Sequence, residues 1–199
     1  MTDRVVLATR NAHKVSELQR ILRAAGLDVE LVGLEEFPGA PEVAETESSF
    51  AGNALLKARA IAEFTGLAAI ADDSGLCVDA LNGMPGIYSA RWSGRHGDDP
   101  ANLDLVLGQV ADVPDSRRSA QFVCAAAWVV PGISEHVVEG VLEGSLARAP
   151  RGGNGFGYDP IFVPAGYALT TAELRPEEKD AISHRGQAFR ALAQVMASR

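Results

Sequence analysis

The stretch LAAIADDSGLCVDAL, Leu67–Leu81, decides how the chain is to be read. Leu67–Ala71 is short, apolar and Ala/Ile-rich, as expected of a buried strand. Two adjacent carboxylates, Asp72 and Asp73, follow, then Ser74 and Gly75, before the chain turns apolar again. Like charges at the lip of a core segment are costly unless something positive sits on them. Open α/β sheets place their ligands just past the ends of such strands. An Asx-type turn through Ser74-Gly75 explains one aspartate more readily than two. If the chain stays extended instead, the two side chains diverge.

Alternating elements lie on either side. Arg4–Thr9 (RVVLAT) reads as a strand. A helix follows it, with Val15, Leu18, Ile21, Leu22 and Ala25 at helical spacing, Asn11 as N-cap and Gly26 as stop. Asp28–Leu34 reads as a second strand. SFAGNALLKARAIAEFTG reads as a second helix, with a core stripe of Phe50, Ala54, Ala58, Ile61 and Ala62, capped by Ser48 or Ser49. Further on, a helix is expected over Pro100–Val110 with Asp99 as cap. Two strands are expected around Pro131-Gly132, and a C-terminal helix carries Phe189, Leu192 and Val195 on one face. The pattern is that of an α/β domain with a mixed sheet.

Composition sets bounds. A chain of 199 residues, 47% hydrophobic and 22% charged, suits one ordinary globular domain over residues 1–199. No apolar run approaches the roughly 18 residues of a membrane span, and the first residues lack the pattern of a signal peptide. Cys77 and Cys124 lie in apolar surroundings and read as buried thiols, which fits a reducing cytoplasm. A net charge of −8 argues against general nucleic-acid or membrane binding. A small anionic substrate is still compatible, given local cations and a metal ion.

Four further segments carry chemistry. LATRNAHK joins a strand to a helix start, where free N–H groups favour anions, with Thr9, Arg10, Asn11 and Lys14 close by. AETESSFAGNALLKA brings Glu45 ahead of a helix and puts Asn53 and Lys57 on one face of it. GGNGFGYDPIF needs its glycines for sharp turns, and Phe156 and Tyr158 can stack on a planar ring. KDAISHRGQAF gathers Lys179, His184 and Arg185 near a helix start headed by Ser183. His13, His96 and His136 share no ligand spacing, and Trp92 and Trp128 read as packing residues.

Together, in this order and spacing, these segments resemble the inosine triphosphate pyrophosphatase family, the non-canonical purine nucleoside triphosphatases also called XTP/dITP diphosphatases. The resemblance covers almost the whole chain. It implies hydrolysis of ITP, dITP and XTP between the α and β phosphates, giving the monophosphate and pyrophosphate. It also implies magnesium, a homodimer, and a two-lobed α/β domain with a long mixed sheet and the active site in the cleft between lobes. Residue by residue, it implies Asp73 as catalytic base or metal ligand, Glu45 as a metal-site carboxylate, Thr9–Lys14 as the phosphate-binding loop and Ser74 as a substrate position. Phe156, Gly157, Tyr158, Asp159, Lys179, His184 and Arg185 become base-binding positions. Read from the residues themselves, Asp72 and Lys57 support Asp73 in catalysis, and Asn53, on the same helix face as Lys57, is a substrate-binding candidate. One departure is Arg10, where the family often has a small residue or Asn. Donors at Lys179, His184 or Arg185 facing the C6 oxygen of hypoxanthine would be left unpaired by adenine, which carries an amine there. Two other readings are a Maf-like pyrophosphatase of pyrimidine or modified nucleotides, against which SHRGQAF argues, and a nucleotide-binding module without turnover.

Overall fold

Strand β1, Asp3–Leu7, forms because Val5, Val6 and Leu7 are apolar on both faces, as a strand covered on both sides must be. The computed structural model describes residues 3–10 and 12–198, without the side chains of residues 3, 12 and 13. The N-cap reading of Asn11 lies outside these residues. Helix α1 spans Ala12–Ala24, and Gly26 ends it at φ +77°. Ala25, expected in its core stripe, is exposed. β2 is Val29–Val32, α2 Phe50–Thr65, β3 Ala68–Val78, β4 Met84–Pro85 and α3 Asp99–Gln109. β5 is Ser119–Val130, β6 Ser134–Leu146, β7 Phe162–Pro164, α4 Pro176–Ile182 and α5 His184–Ala197. Ser49 caps α2 by accepting from the Gly52 N–H.

The seven strands form one mixed sheet in the order β2-β1-β3-β5-β6-β7, with β4 paired to β3. β1 runs parallel to β2 and β3, while the β3–β4 and β6–β7 pairs are antiparallel. The chain divides into two compact units. One holds residues 1–73, 124–140 and 185–199; the other holds 74–123 and 141–184.

In the first unit, strand alternation sorts the core into two layers. Val5, Leu7, Ile70, Cys124 and Ala126 pack with Leu18 and Leu22 of α1 and Phe189 and Leu192 of α5. Val6, Ala69, Ala71, Ala125 and Ala127 pack with Ala54, Ala58 and Ile61 of α2. Each fully buried Leu, Ile or Phe contributes roughly 1.5–3 kcal/mol. The second unit has its own core, in which Leu76 and Val78 meet Leu103 and Val106 of α3, Phe122, Leu146, Tyr158 and Phe162. There Arg118, 2% exposed, donates to the Val110, Leu146 and Ala147 carbonyls and ties the end of α3 to the end of β6.

Three expectations are revised. β3 does not stop at Ala71 but runs through both aspartates to Val78, so no Asx turn forms at Ser74-Gly75. The backbone can stay in the sheet because each carboxylate finds cations or donors beside it. The C-terminal segment is two helices: Asp180–Ile182 close α4, and α5 starts at His184, with Ser183 between them. Helix α3 begins one residue early and is capped by Asp98, whose carboxylate accepts the Ala101 N–H, so Asp99 is not the cap.

Candidate active site

Because β3 is extended at Asp72 and Asp73, their side chains leave on opposite faces. Asp72 shares the face of Ile70, the layer of α1 and α5. Asp73 shares the face of Ala69 and Ala71, the layer of α2. The two aspartates therefore have different environments.

Asp72 is held by cations. Lys14 of α1 donates to both of its oxygens, at 3.0 and 2.9 Å, and Arg185 at the start of α5 donates Nε to Oδ2 at 3.2 Å. Burial alone would raise the Asp72 carboxyl, but Lys14 and Arg185 hold it well below the usual carboxylate range. Asp72 is thus a fixed anion that holds two cations, one from each helix. Arg185, expected among the base-contacting donors, is placed on this acid.

Asp73 is the contrasting case. Asn53 of α2 donates Nδ2 to its Oδ2 at 3.0 Å, and Lys57 Nζ lies 3.6 Å from Oδ1 and 3.0 Å from Glu45 Oε1. Burial, helped by the negative charges of Glu45 and Asp72, raises the Asp73 carboxyl above its ordinary value despite Lys57 and Asn53. Lys57 is raised too: burial works against it, but Asp73 and Glu45 prevail. Asn53 is fully buried, and its Oδ1 accepts the Glu47 N–H at 3.0 Å. Its amide therefore links the Glu45–Glu47 segment to Asp73.

The chemistry of this donor set fits magnesium. Two carboxylates from separate segments, Asp73 and Glu45, converge on one lysine. Among the described residues no cluster of three or more His, Cys, Asp or Glu could hold a metal. Magnesium suits such a site, since it takes one or two carboxylates and completes its shell with water and substrate phosphate.

Thr9 is half-buried and its carbonyl accepts the Leu34 N–H at 3.0 Å; Arg10 is exposed; Asn11 lies outside the described residues. Ser74 is half-buried on β3.

In the second unit, the glycine-rich loop is organised on Asp159. Its carboxylate accepts from the Phe156 N–H at 2.8 Å, the Thr171 hydroxyl at 2.8 Å and Lys179 Nζ at 2.5 Å. Gly155 stands at φ +77°, and a Cβ there would lie 2.1 Å from Asp159 Oδ2. The result is a presented aromatic: Phe156 is 63% exposed, with the Lys179 ammonium 5.2 Å from its ring centre. Tyr158 does not join it. Its ring is in the core and its hydroxyl donates to the Ser89 carbonyl at 2.8 Å, which leaves Phe156 as the exposed ring of the two. His184 heads α5 with one ring face on Phe122, centroids 4.9 Å apart. We expect Gly155→Ala to raise the KM for a nucleotide about tenfold or more, since the new side chain disfavours the φ and displaces Asp159; steady-state kinetics beside an unchanged far-UV spectrum would check it.

Residues outside these groups read as structural. Cys124 is buried and Cys77 half-buried, both free thiols raised by burial. Trp128 stacks on His136, and Trp92 donates to Gln109. No described helix is long and apolar enough to cross a membrane.

The described residues thus combine an α/β fold, a buried carboxylate–lysine cluster and a separate cation-held aspartate, a set of charges compatible with a phosphorylated ligand. The Ham1 family model matches residues 5–195, and the chain belongs to the Ham1 family. Over 193 residues it is 62% identical to the dITP/XTP pyrophosphatase of Streptomyces coelicolor, covering 97% of this chain and 96% of that protein. A Mycobacterium abscessus crystal structure titled nucleoside-triphosphatase / dITP/XTP pyrophosphatase is 58% identical, with TM-score 0.83 over 97% of this chain and 99% of that one. A HAM1 protein structure from Coxiella burnetii gives TM-score 0.91 at 44% identity over the whole of both chains.

Proposed function

We propose that this chain hydrolyses non-canonical purine nucleoside triphosphates (ITP, dITP and XTP) to the monophosphate and pyrophosphate, removing them from the nucleotide pool. The observation that carries the reading is the division of labour at Asp72–Asp73: one aspartate is fixed as an anion by Lys14 and Arg185, the other is raised beside Glu45 and Lys57. The names of relatives up to 62% identical, dITP/XTP pyrophosphatases, support dITP and XTP among these substrates.

The residues take these roles. Asp73 orients the attacking water toward the α phosphorus and accepts its proton; a carboxyl raised toward the working pH is a better base than an ordinary aspartate. Glu45 and Asp73 would hold magnesium, which when bound neutralises charge on the triphosphate and on the leaving pyrophosphate. Lys14 and Lys57 supply positive charge for phosphate oxygens, and Arg185 joins them. Asp72 keeps Lys14 and Arg185 in place. Asn53 fixes the Asp73 oxygen that does not face Lys57. Phe156 stacks on the purine, and Lys179 is the donor beside it. The reading carries a homodimer and a cytoplasmic location with it, the first checked by sedimentation of the purified protein.

The test is incubation with a panel of nucleoside triphosphates and magnesium, assaying pyrophosphate against orthophosphate. Pyrophosphate from ITP, dITP and XTP, with little from ATP or GTP, is the expected result. Orthophosphate alone would contradict α–β cleavage. Turnover confined to pyrimidine nucleotides would favour the Maf-like reading, and binding without product a non-catalytic module.

The pH dependence follows from Asp73. Its carboxyl must be ionised to act, and protons compete with magnesium for it. The acidic limb of kcat/KM should therefore lie above pH 3.8, the group's ordinary value, and move to lower pH as magnesium is raised. A limb that stays put between limiting and saturating magnesium would remove Asp73 from the metal.

A further inference from the structure

We propose that Asp99 is a positioning residue for purine recognition, acting through the Gly157 amide on the Phe156 ring; this rests on the substrate reading above. Asp99 stands in the first turn of α3, yet the cap is Asp98. Its Oδ2 instead accepts the Gly157 N–H at 2.8 Å, across 58 residues of sequence. Phe156 is flanked by Gly155 at φ +77° and Gly157 at φ +60°, two residues with more backbone freedom than any other type. An exposed ring between two such joints would sample many orientations, and each frozen one costs conformational entropy on binding. Two consecutive amides remove that freedom. The Phe156 N–H is held by Asp159 and the Gly157 N–H by Asp99, each a hydrogen bond to a carboxylate and so stronger than a neutral one. Asp159 also serves Thr171 and Lys179. Asp99 is the group that pins the far side of the ring to α3, so that the aromatic face is already set when the base arrives.

The experiment is a double-mutant cycle on the full chain with ITP as substrate: wild type, Asp99→Ala, Asp99→Asn, Phe156→Ala and the Asp99→Ala/Phe156→Ala pair. Asp99→Ala should raise KM about tenfold with kcat nearly unchanged. Asp99→Asn, whose amide oxygen still accepts, should recover most of that. In the Phe156→Ala background the Asp99→Ala change should add nothing, because its only route to the substrate is gone. Hydrogen exchange over residues 155–158 should quicken in the order wild type, Asn, Ala. Should Asp99→Ala not fold, the Asn variant alone carries the test, with a smaller KM rise that also vanishes without Phe156. The proposal is overturned by full additivity with Phe156→Ala, by a fall in kcat at constant KM, or by unchanged exchange at Gly157. Failure of the substrate reading looks different: wild type then makes no pyrophosphate from ITP, while exchange still reports on Asp99.

Discussion

Asp73→Asn should lower kcat by about 10²–10⁴ while the protein stays folded. The substitution keeps the shape of the side chain and removes its charge and basicity. Asn53 Nδ2 still finds an acceptor in the new amide oxygen, and Lys57 keeps Glu45 at 3.0 Å. Little stability is therefore at stake, because the native Asp73 is itself destabilised as an anion by burial and by Glu45. What is lost is the group that orients and deprotonates the water, together with one of the two carboxylates proposed to hold magnesium. The loss should persist at saturating magnesium and saturating ITP. Turnover near that of the wild type under those conditions, in a protein of unchanged thermal midpoint, would sink the assignment.

Asp72→Ala has the opposite profile, a stability defect first. Asp72 is buried and takes hydrogen bonds from Lys14 and Arg185. Removing it leaves two cations facing one another with no anion between them. Breaking a buried pair from one side costs about 3–5 kcal/mol, which for a chain of this size lowers the midpoint by roughly 6–20 °C. Activity should fall as well, since both cations then move apart. The pH sign follows from the lowered carboxyl. A group whose folded pKa is depressed stabilises fully above its unfolded value of about 3.9, and the contribution is lost as pH falls through the folded value. Wild type should thus lose this contribution only below about pH 4, and Asp72→Ala should be free of that part of the acid transition. Thermal melts of both proteins from pH 3 to 7 measure it. Equal midpoints at neutral pH would remove the cation-holding role.

Burial, pairing and charge separate these two neighbours, and the sequence already contained the condition for it. An extended chain sends residues 72 and 73 to opposite faces whatever surrounds them. The core stripe of α2 was legible because its apolar residues repeat at the helical period, the strand at Arg4–Thr9 because it is a short apolar run, and the mixed sheet because strands and helices alternate. The five motifs, in order, carried the family.

Other features depended on partners far along the chain. The run through Asp72–Asp73 looks like the end of a strand, because local pattern treats two charges as exposed. Only the arrival of Lys14, 58 residues away, and Arg185, 113 residues away, makes an uninterrupted strand affordable there. Tyr158 and Phe156 are alike in sequence, two aromatics around one glycine. Contact with Ser89 takes one into the core, and the Asp159 turn leaves the other exposed. Asp98 and Asp99 are both plausible caps by composition, and only the position of Gly157 shows which is free to hold a loop. By itself, then, the sequence determined most of the elements, their faces and the kinds of side chain at the site, since these follow from local periodicity and residue chemistry, but not where β3 ends or that the C-terminal segment is two helices. Tertiary structure alone decided which carboxylate is locked and which is raised, because a pKa depends on the charges and solvent around a group, and those come from segments that only folding brings together.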